Sequence, residues 1–292
     1  MTTVERDVPL ARLTTIGTGG PARGLSRPRT IDELVSVLRQ ARDEGLHVLA
    51  IGLGSNLLAA DEGVDALVVR LEGELASVAV RNNALEAGAG ATNAVCLHHA
   101  RAAGLGGFEF ACAIPGTAGG GVFMNAGAYG SDWAEVLVRA LVVSADGEDW
   151  RTPAQLGLSY RHSTLAPGEV VACVEYRLEL RPPADVKARV RDLVARRKDT
   201  QPTNKRTFGS VFKNPPGEIG AGRMLELCGL KGHRIGGAVV SPKHANFIEN
   251  AGGATTADCL ALMSEARRRA REEFGVHLER EVVFAGLSEL SA

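Results

Sequence analysis

From Leu105 to Gly130 the chain reads LGGFEFACAIPGTAGGGVFMNAGAYG, with eight glycines in that span. Glycine loses more backbone freedom on ordering than any other residue, so this density argues against a regular helix or strand. The stretch is expected to be a loop system whose backbone comes close to a ligand. A second glycine loop, GLGSN at 52–56, follows the strand-like VLAIG. Such loops present N–H groups with no side chain in the way, which suits a phosphate. For GLGSN alone, an ordinary turn is the plainer reading; for the longer stretch, a phosphate-bearing cofactor is the natural partner. Neither loop is a complete nucleotide motif, because GLGSN lacks a third fingerprint glycine, LLAADEG is a poor helix, and no G-K-[ST] is present. A doubly wound dinucleotide domain is therefore not expected.

The rest of the chain is more regular. TIDELVSVLRQARDE, at 30–44, reads as an amphipathic helix with Thr30 as its cap. Glu33 is expected to close a capping box, and Ile31, Leu34, Val35 and Leu38 share one face. A second helix is expected from the cap Thr92 to Gly104, and a hairpin with Asn82 and Asn83 at its tip. In EVVACVEYRLEL, Val170, Ala172, Val174, Tyr176 and Leu178 alternate with the other face of a strand. The two prolines of RPPAD, 181–185, suggest a boundary between a first domain, 1–183, and a second, 184–292. The first divides into sub-domains of about 1–70 and 71–183. The second holds a short helix at RMLELCG, a long helix over 256–274 and a last strand in REVVFAG. Mixed, segregated strands and helices favour an α+β fold.

Composition removes several classes of function. Formal net charge is −1 with dispersed Lys and Arg, so neither nucleic acid nor a membrane surface is an expected partner. The five cysteines are odd in number and form no C-x-x-C pair, as befits buried thiols in a reducing cytosol. No apolar run reaches the length of about 18 residues that a membrane span needs. MTTVERDVPL lacks a signal-peptide core. His98 and His99 have no metal-ligand spacing, and no metal is expected. The expectation is a cytoplasmic monomer acting on a small molecule.

Seven stretches carry a further resemblance. In order they are TTIGTGGPA, GLGSNLLAADEG, GFEFACAIPGTAGGGVFMNAGAYG, SYRHSTL, GSVFKNP, GLKGHRIGGAVVSPKHANFIEN and GVHLEREV. Together they resemble the UDP-N-acetylenolpyruvoylglucosamine reductase family, from about Thr14 to Gly286. Few residues separate SYRHSTL from the next strand, so the shorter subtype, without an inserted tyrosine-bearing loop, fits best. The resemblance implies an FAD-binding module of the vanillyl-alcohol-oxidase (PCMH) type followed by an α+β substrate-binding domain. It implies non-covalent FAD, with Gly52, Leu53, Gly54, Ser55 and Asn56 on the pyrophosphate. Pro115, Gly116, Thr117, Gly119, Gly120 and Gly121 would join them, and Asn125, Gly127 and Ala128 would lie along the flavin.

The reaction so implied passes hydride from NADPH through FAD to C3 of an enolpyruvyl ether, and a proton to C2. The product would be UDP-N-acetylmuramate, a peptidoglycan precursor. Charge develops at C2 and its carboxylate, so the site needs an acid and a clamp. Motif by motif, Ser210 becomes the proton donor, with Arg161 and Glu281 handling the carboxylate; Glu281 would do so protonated, with burial raising its pKa. Lys213, Asn214 and Arg223 would meet the substrate diphosphate. Taken singly these residues read otherwise: a turn serine, a surface arginine, a strand-end carboxylate. His244 is expected to be structural rather than catalytic. The chain departs from the family where Arg280 replaces a proline and Val283 an arginine, and TTIGTGG varies from TTFRIGG. The alternatives are another flavin oxidoreductase of the same superfamily and a non-catalytic nucleotide-binding homologue.

Overall fold

The computed structural model describes residues 3–287. The chain divides into two compact units. One comprises Met1–Arg6, Gly24–Leu53 and Ala66–Arg197; the other comprises Asp7–Arg23, Gly54–Asp65 and Lys198–Ala292. This division differs from the single cut expected at 183/184. The prolines of RPPAD begin a helix rather than end a domain, because a proline in the first turn forfeits an N–H that has no helical partner anyway.

The first unit is built on a five-stranded antiparallel sheet. Its order is Gly147–Arg151, Leu137–Ser144, Val170–Arg177, Ala84–Gly88 and Val78–Arg81. The hairpin turns at Asn82, whose φ of 57° is the left-handed value that asparagine tolerates. Helix α1 (Ile31–Asp43) is capped by Thr30, which accepts from the Glu33 N–H. Glu33 accepts from Arg29 N–H, one residue before the cap, so the reciprocal box is not formed as expected. Its buried face is Leu34, Val37, Leu38 and Ala41, with Ile31 and Val35 at the margin. That face packs with Leu67, Val69, Leu141, Val143, Val170 and Ala172, so residues 1–70 close no core by themselves.

Helix α2 (Asn93–Ala102) starts at Thr92 as expected, the hydroxyl accepting from Val95 N–H. Two short helices follow, α3 (Ala118–Phe123) and α4 (Trp133–Val136). Helix α5 (Pro183–Thr200) buries Val186 and Leu193, and Val190 packs on the unit's main core. That burial binds most of the helix to the first unit.

The second unit carries a four-stranded sheet in the order Thr207–Ser210, Phe247–Asn250, Ala238–Val240 and Arg234–Ile235. Helix α6 (Ala221–Leu227) and helix α7 (Thr256–Phe274) cover a core of Phe208, Phe212, Met224, Ile248, Leu262 and Met263. Thr255 and Asp258 form a capping box on α7. Its Leu262, Ala266 and Ala270 are buried and its Arg–Glu pairs lie outward, the solvated face that the sequence suggests. The last strand, Val283–Ala285, runs parallel to Leu57–Ala59. No helix among the described residues is long and apolar enough to cross a membrane.

Candidate active site

Within the first unit the two glycine loops meet. A Cβ on Gly52 would lie 2.5 Å from Thr117 Oγ1, so only glycine fits beside that threonine. The N–H groups of Gly52, Leu53 and Gly116 have no hydrogen-bond partner among the described residues. Beyond them the glycine-rich stretch is not all loop, contrary to expectation. Thr117 caps α3, accepting from Gly120 N–H at 3.4 Å. Cβ atoms on Gly119 and Gly121 would lie 2.8 Å from Ala89 Cβ and 2.2 Å from Trp133 Cε2. Gly119 lets the short helix pack against Ala89 and Gly121 lets it pack against the buried indole, a tertiary demand that outweighs propensity. Gly120 differs, since its added Cβ would meet only Thr117 Oγ1, at 3.6 Å.

The segment after α3 is held from within. Asn125 is 2% exposed with φ of 38°. Its amide donates to Ser159 O at 3.0 Å and Asp132 Oδ2 at 3.2 Å, and accepts from Ala134 N–H at 2.9 Å. Gly127 and Ala128 pair with Asp132 and Ser131. Ser159 and His162 exchange both backbone hydrogen bonds, which puts Tyr160 and Arg161 at a tight turn, the latter at φ of 55°. Arg161 Nη2 donates to Gly127 O at 2.7 Å, and its guanidinium lies 5.0 Å over the Tyr160 ring. Non-glycine residues held at positive φ cost energy and gather at functional sites. Asn125, Tyr129 and Arg161 are three such residues. A cavity of about 480 Å³ is lined by Leu53, Ile114, Pro115, Gly116, and Val194 and Arg197 of α5.

In the second unit the neighbourhood of Ser210 is set by a β-bulge. Thr207 pairs with Glu249 and Ser210 with Phe247, three steps on one strand against two on its partner. Gly209, at φ of 81°, absorbs the extra residue and re-aims the serine that follows. The Ser210 hydroxyl is half-buried and has no hydrogen-bond partner among the described residues. Glu281 is brought to the same place by its backbone. Its N–H donates to Val211 O at 2.8 Å and its carbonyl accepts from Asn56 Nδ2 at 3.1 Å. Asn56 O in turn accepts from Val283 N–H. Gly54 is nearby in the same unit, its carbonyl accepting from Thr15 N–H at 3.1 Å, and Ser55 O lies 3.3 Å from where a Cβ on Gly209 would be. Arg280 is turned over the Phe284 ring at 4.5 Å and donates to Val282 O.

The three residues expected at a diphosphate behave differently from one another. Lys213 pairs with the exposed Glu279 at 3.3 Å. Asn214 Oδ1 accepts from Ala221 N–H at 3.0 Å, at the start of α6. Arg223 pairs with Glu226 at 3.1 Å. Asn214 and Arg223 line a cavity of about 260 Å³ with Lys231, Lys243 and His244, whereas Lys213 does not. His244 Nδ1 accepts from Asn246 N–H, and its ring meets Phe247 edge-on at 5.0 Å. Burial, and then the charge of Lys231, holds its pKa below the ordinary histidine value. It is anchored as a structural histidine would be, yet it lines the cavity.

Residues 22–152 match the model of an FAD binding domain, and residues 201–285 that of the UDP-N-acetylenolpyruvoylglucosamine reductase C-terminal domain. The chain is 46% identical over 286 residues to UDP-N-acetylenolpyruvoylglucosamine reductase 2 of Symbiobacterium thermophilum, covering 97% of this chain and 92% of that protein. It is 46% identical over 281 residues to the reductase of Anaeromyxobacter dehalogenans, covering 96% and 85%. The chain belongs to the UDP-N-acetylenolpyruvoylglucosamine reductase family. The crystal structure of the reductase from Thermus caldophilus superimposes with a TM-score of 0.86 at 38% identity, covering 98% of this chain and 100% of that one.

For a member of this reductase family the first unit's loops can be tested against FAD. N–H groups at Gly52, Leu53 and Gly116 without a partner among the described residues, beside a cavity with apolar walls and two arginines, suit a diphosphate joined to an aromatic base. The residues present fit the cofactor. The side chain of Asn125 is fully engaged with protein, and Gly119 and Gly121 are accounted for by packing. Sequence reasoning missed Lys231 and Lys243, although both lie in the quoted GLKGHRIGGAVVSPKH. It also missed the α5 side of the larger cavity, which a helix assigned to the other domain could not have suggested.

Proposed function

We propose that the protein reduces UDP-N-acetylglucosamine enolpyruvate to UDP-N-acetylmuramate with NADPH, as a cytoplasmic monomer in peptidoglycan precursor synthesis. Bound FAD supplies a two-electron carrier between NADPH and C3 of the enolpyruvyl ether. The chain's own residues do the rest. Ser210 gives its hydroxyl proton to C2, onto which hydride addition at C3 pushes the π electron pair of the double bond, and the alkoxide left on Ser210 regains a proton from water. A serine hydroxyl is a weak acid, so this works only if its oxygen is fixed and uncommitted. Arg161 offers a fork of N–H groups to the substrate carboxylate, which a point charge could not imitate. Its turn and its bond to Gly127 O hold that fork in one direction. Glu281, tied by its backbone next to Val211, hydrogen-bonds the same carboxylate when protonated. Asn214 and Arg223, with Lys231 and Lys243 on the same cavity, meet the substrate diphosphate, and Lys213 joins them by exchanging its surface pair with Glu279 for the ligand's charge.

The observation that carries this reading is the bulged strand that presents a half-buried serine hydroxyl with no hydrogen-bond partner among the described residues. The test is spectroscopic. Purified protein should be yellow, bleach anaerobically with NADPH, and recover its absorbance when the UDP-linked enolpyruvyl sugar is added. Bleaching without recovery would leave a flavin reductase with another acceptor. A colourless protein that takes up no flavin would contradict the reading altogether.

A further inference from the structure

The first unit's cavity holds a charge that its protein surroundings leave unanswered. Arg197, in the last turns of α5, lines it together with Arg101 and His98, and no carboxylate is among the lining residues. Its Nε is buried without a hydrogen-bond partner, and Nη1 reaches only Cys112 O, at 3.4 Å. Arg197 enters no ion pair among the described residues, whereas Arg151 and Arg181 of the same unit are each paired with a glutamate. Desolvation depresses its pKa, the direction expected of a cation withdrawn from water without an anion beside it. A guanidinium has five donors and does not deprotonate in proteins, so burying it unpaired is costly unless a ligand supplies the charge.

The chemistry that would satisfy it is defined by the neighbours. Leu53 and Gly116 contribute unpaired N–H groups, which together with two arginines suit a phosphate. Leu97, Ile114, Val190 and Val194 are apolar and suit the flat face of a base. We propose that Arg197 is a cofactor-binding residue that pairs with a phosphate of FAD, so that α5 belongs to the cofactor site. The inference rests on the FAD reading above. NADPH carries the same diphosphate chemistry, and the two sources are separated by the arms of the test.

The experiment compares wild type with Arg197→Met and Arg197→Lys, all as full-length protein stripped of flavin. FAD affinity is read by fluorescence quenching, apo-protein melting by circular dichroism, and the KM for NADPH on FAD-saturated enzyme. Arg197→Met should weaken FAD binding by about 10- to 100-fold, the scale of a charge-assisted hydrogen bond. Arg197→Lys should restore part of it. The apo protein should melt no lower than wild type, because an unpaired buried charge has been removed. A fall in apo melting with unchanged FAD affinity would make Arg197 a structural residue and overturn the proposal. A change confined to the KM for NADPH would overturn it in favour of the nicotinamide donor. If wild type itself bound no FAD, the functional reading would fall with it; wild type that binds FAD as tightly as Arg197→Met would leave that reading intact and sink only this one.

Discussion

The segment after α3 and the strand that ends at Ser210 use their polar groups in opposite ways. The Asn125 amide has both its donor and acceptor atoms engaged by protein, although Asp132 Oδ1 beside it is buried without a partner, and Gly119 and Gly121 are explained by Ala89 and Trp133. At Ser210 a bulge places a hydroxyl where the described protein gives it nothing to bond. The first region is committed to shape, and the second leaves open a group that the proposed reaction needs. A residue whose bonding is complete can position others, but a proton donor has to be uncommitted until substrate arrives. Residue type alone does not separate the two cases; hydrogen-bond accounting does.

The contrast is most exposed at its chemical end. Ser210→Ala should lower turnover by about 10²- to 10⁴-fold, the range of a positioned general acid, with little change in melting temperature. An equally deep loss of melting temperature would move Ser210 into the structural class. Gly121→Ala should act the other way, forcing a Cβ into the Trp133 indole and destabilising the protein by about 1–3 kcal/mol, measured by urea unfolding. Asn125→Ala should cost a similar amount, about 1–3 kcal/mol, by leaving buried partners unsatisfied. Normal stability in either variant would break the comparison.

Gly120→Ala sharpens it. Its site is helical and open, so the apo protein should gain up to about 1 kcal/mol, the usual helix preference for alanine. Only FAD affinity, read by fluorescence, should fall, because protein atoms do not explain that glycine. The smallest effect concerns His244, whose folded pKa lies below the ordinary 6.5. The neutral ring suits the folded state, so its contribution is complete above pH 6.5 and is lost as pH falls from there through the folded value. His244→Gln should flatten that part of the stability profile; an unaltered slope would show that another group carries it.

Much of the scaffold was legible. Thr30 and Thr92 cap the helices they precede, Asn82 turns the hairpin, and Val170, Ala172, Val174, Tyr176 and Leu178 are buried on one face, with Val171 buried on the other, because each signal is local. Helix α3 was not legible, since its glycines answer to Trp133, a contact that sequence does not display. The proline pair misled for a related reason, as α5 is claimed by burial of Val186, Val190 and Leu193. The site residues came through family resemblance. What resemblance could not supply was the bulge at Gly209, which exists only in the register with Phe247–Asn250, or the unpaired state of Arg197. Lys231 and Lys243 were in plain view but gained meaning only when the fold set them on one cavity with Asn214.

The most direct test separates the two halves of the reaction in a single variant. Ser210→Ala, loaded with FAD, is mixed anaerobically with NADPH and then with the UDP-linked enolpyruvyl sugar, and flavin absorbance is followed by stopped flow. Bleaching should proceed at nearly the wild-type rate while the return of absorbance slows by about 10²-fold or more. Equal slowing of both phases, or recovery as fast as in wild type, would contradict the assignment of the proton to this serine.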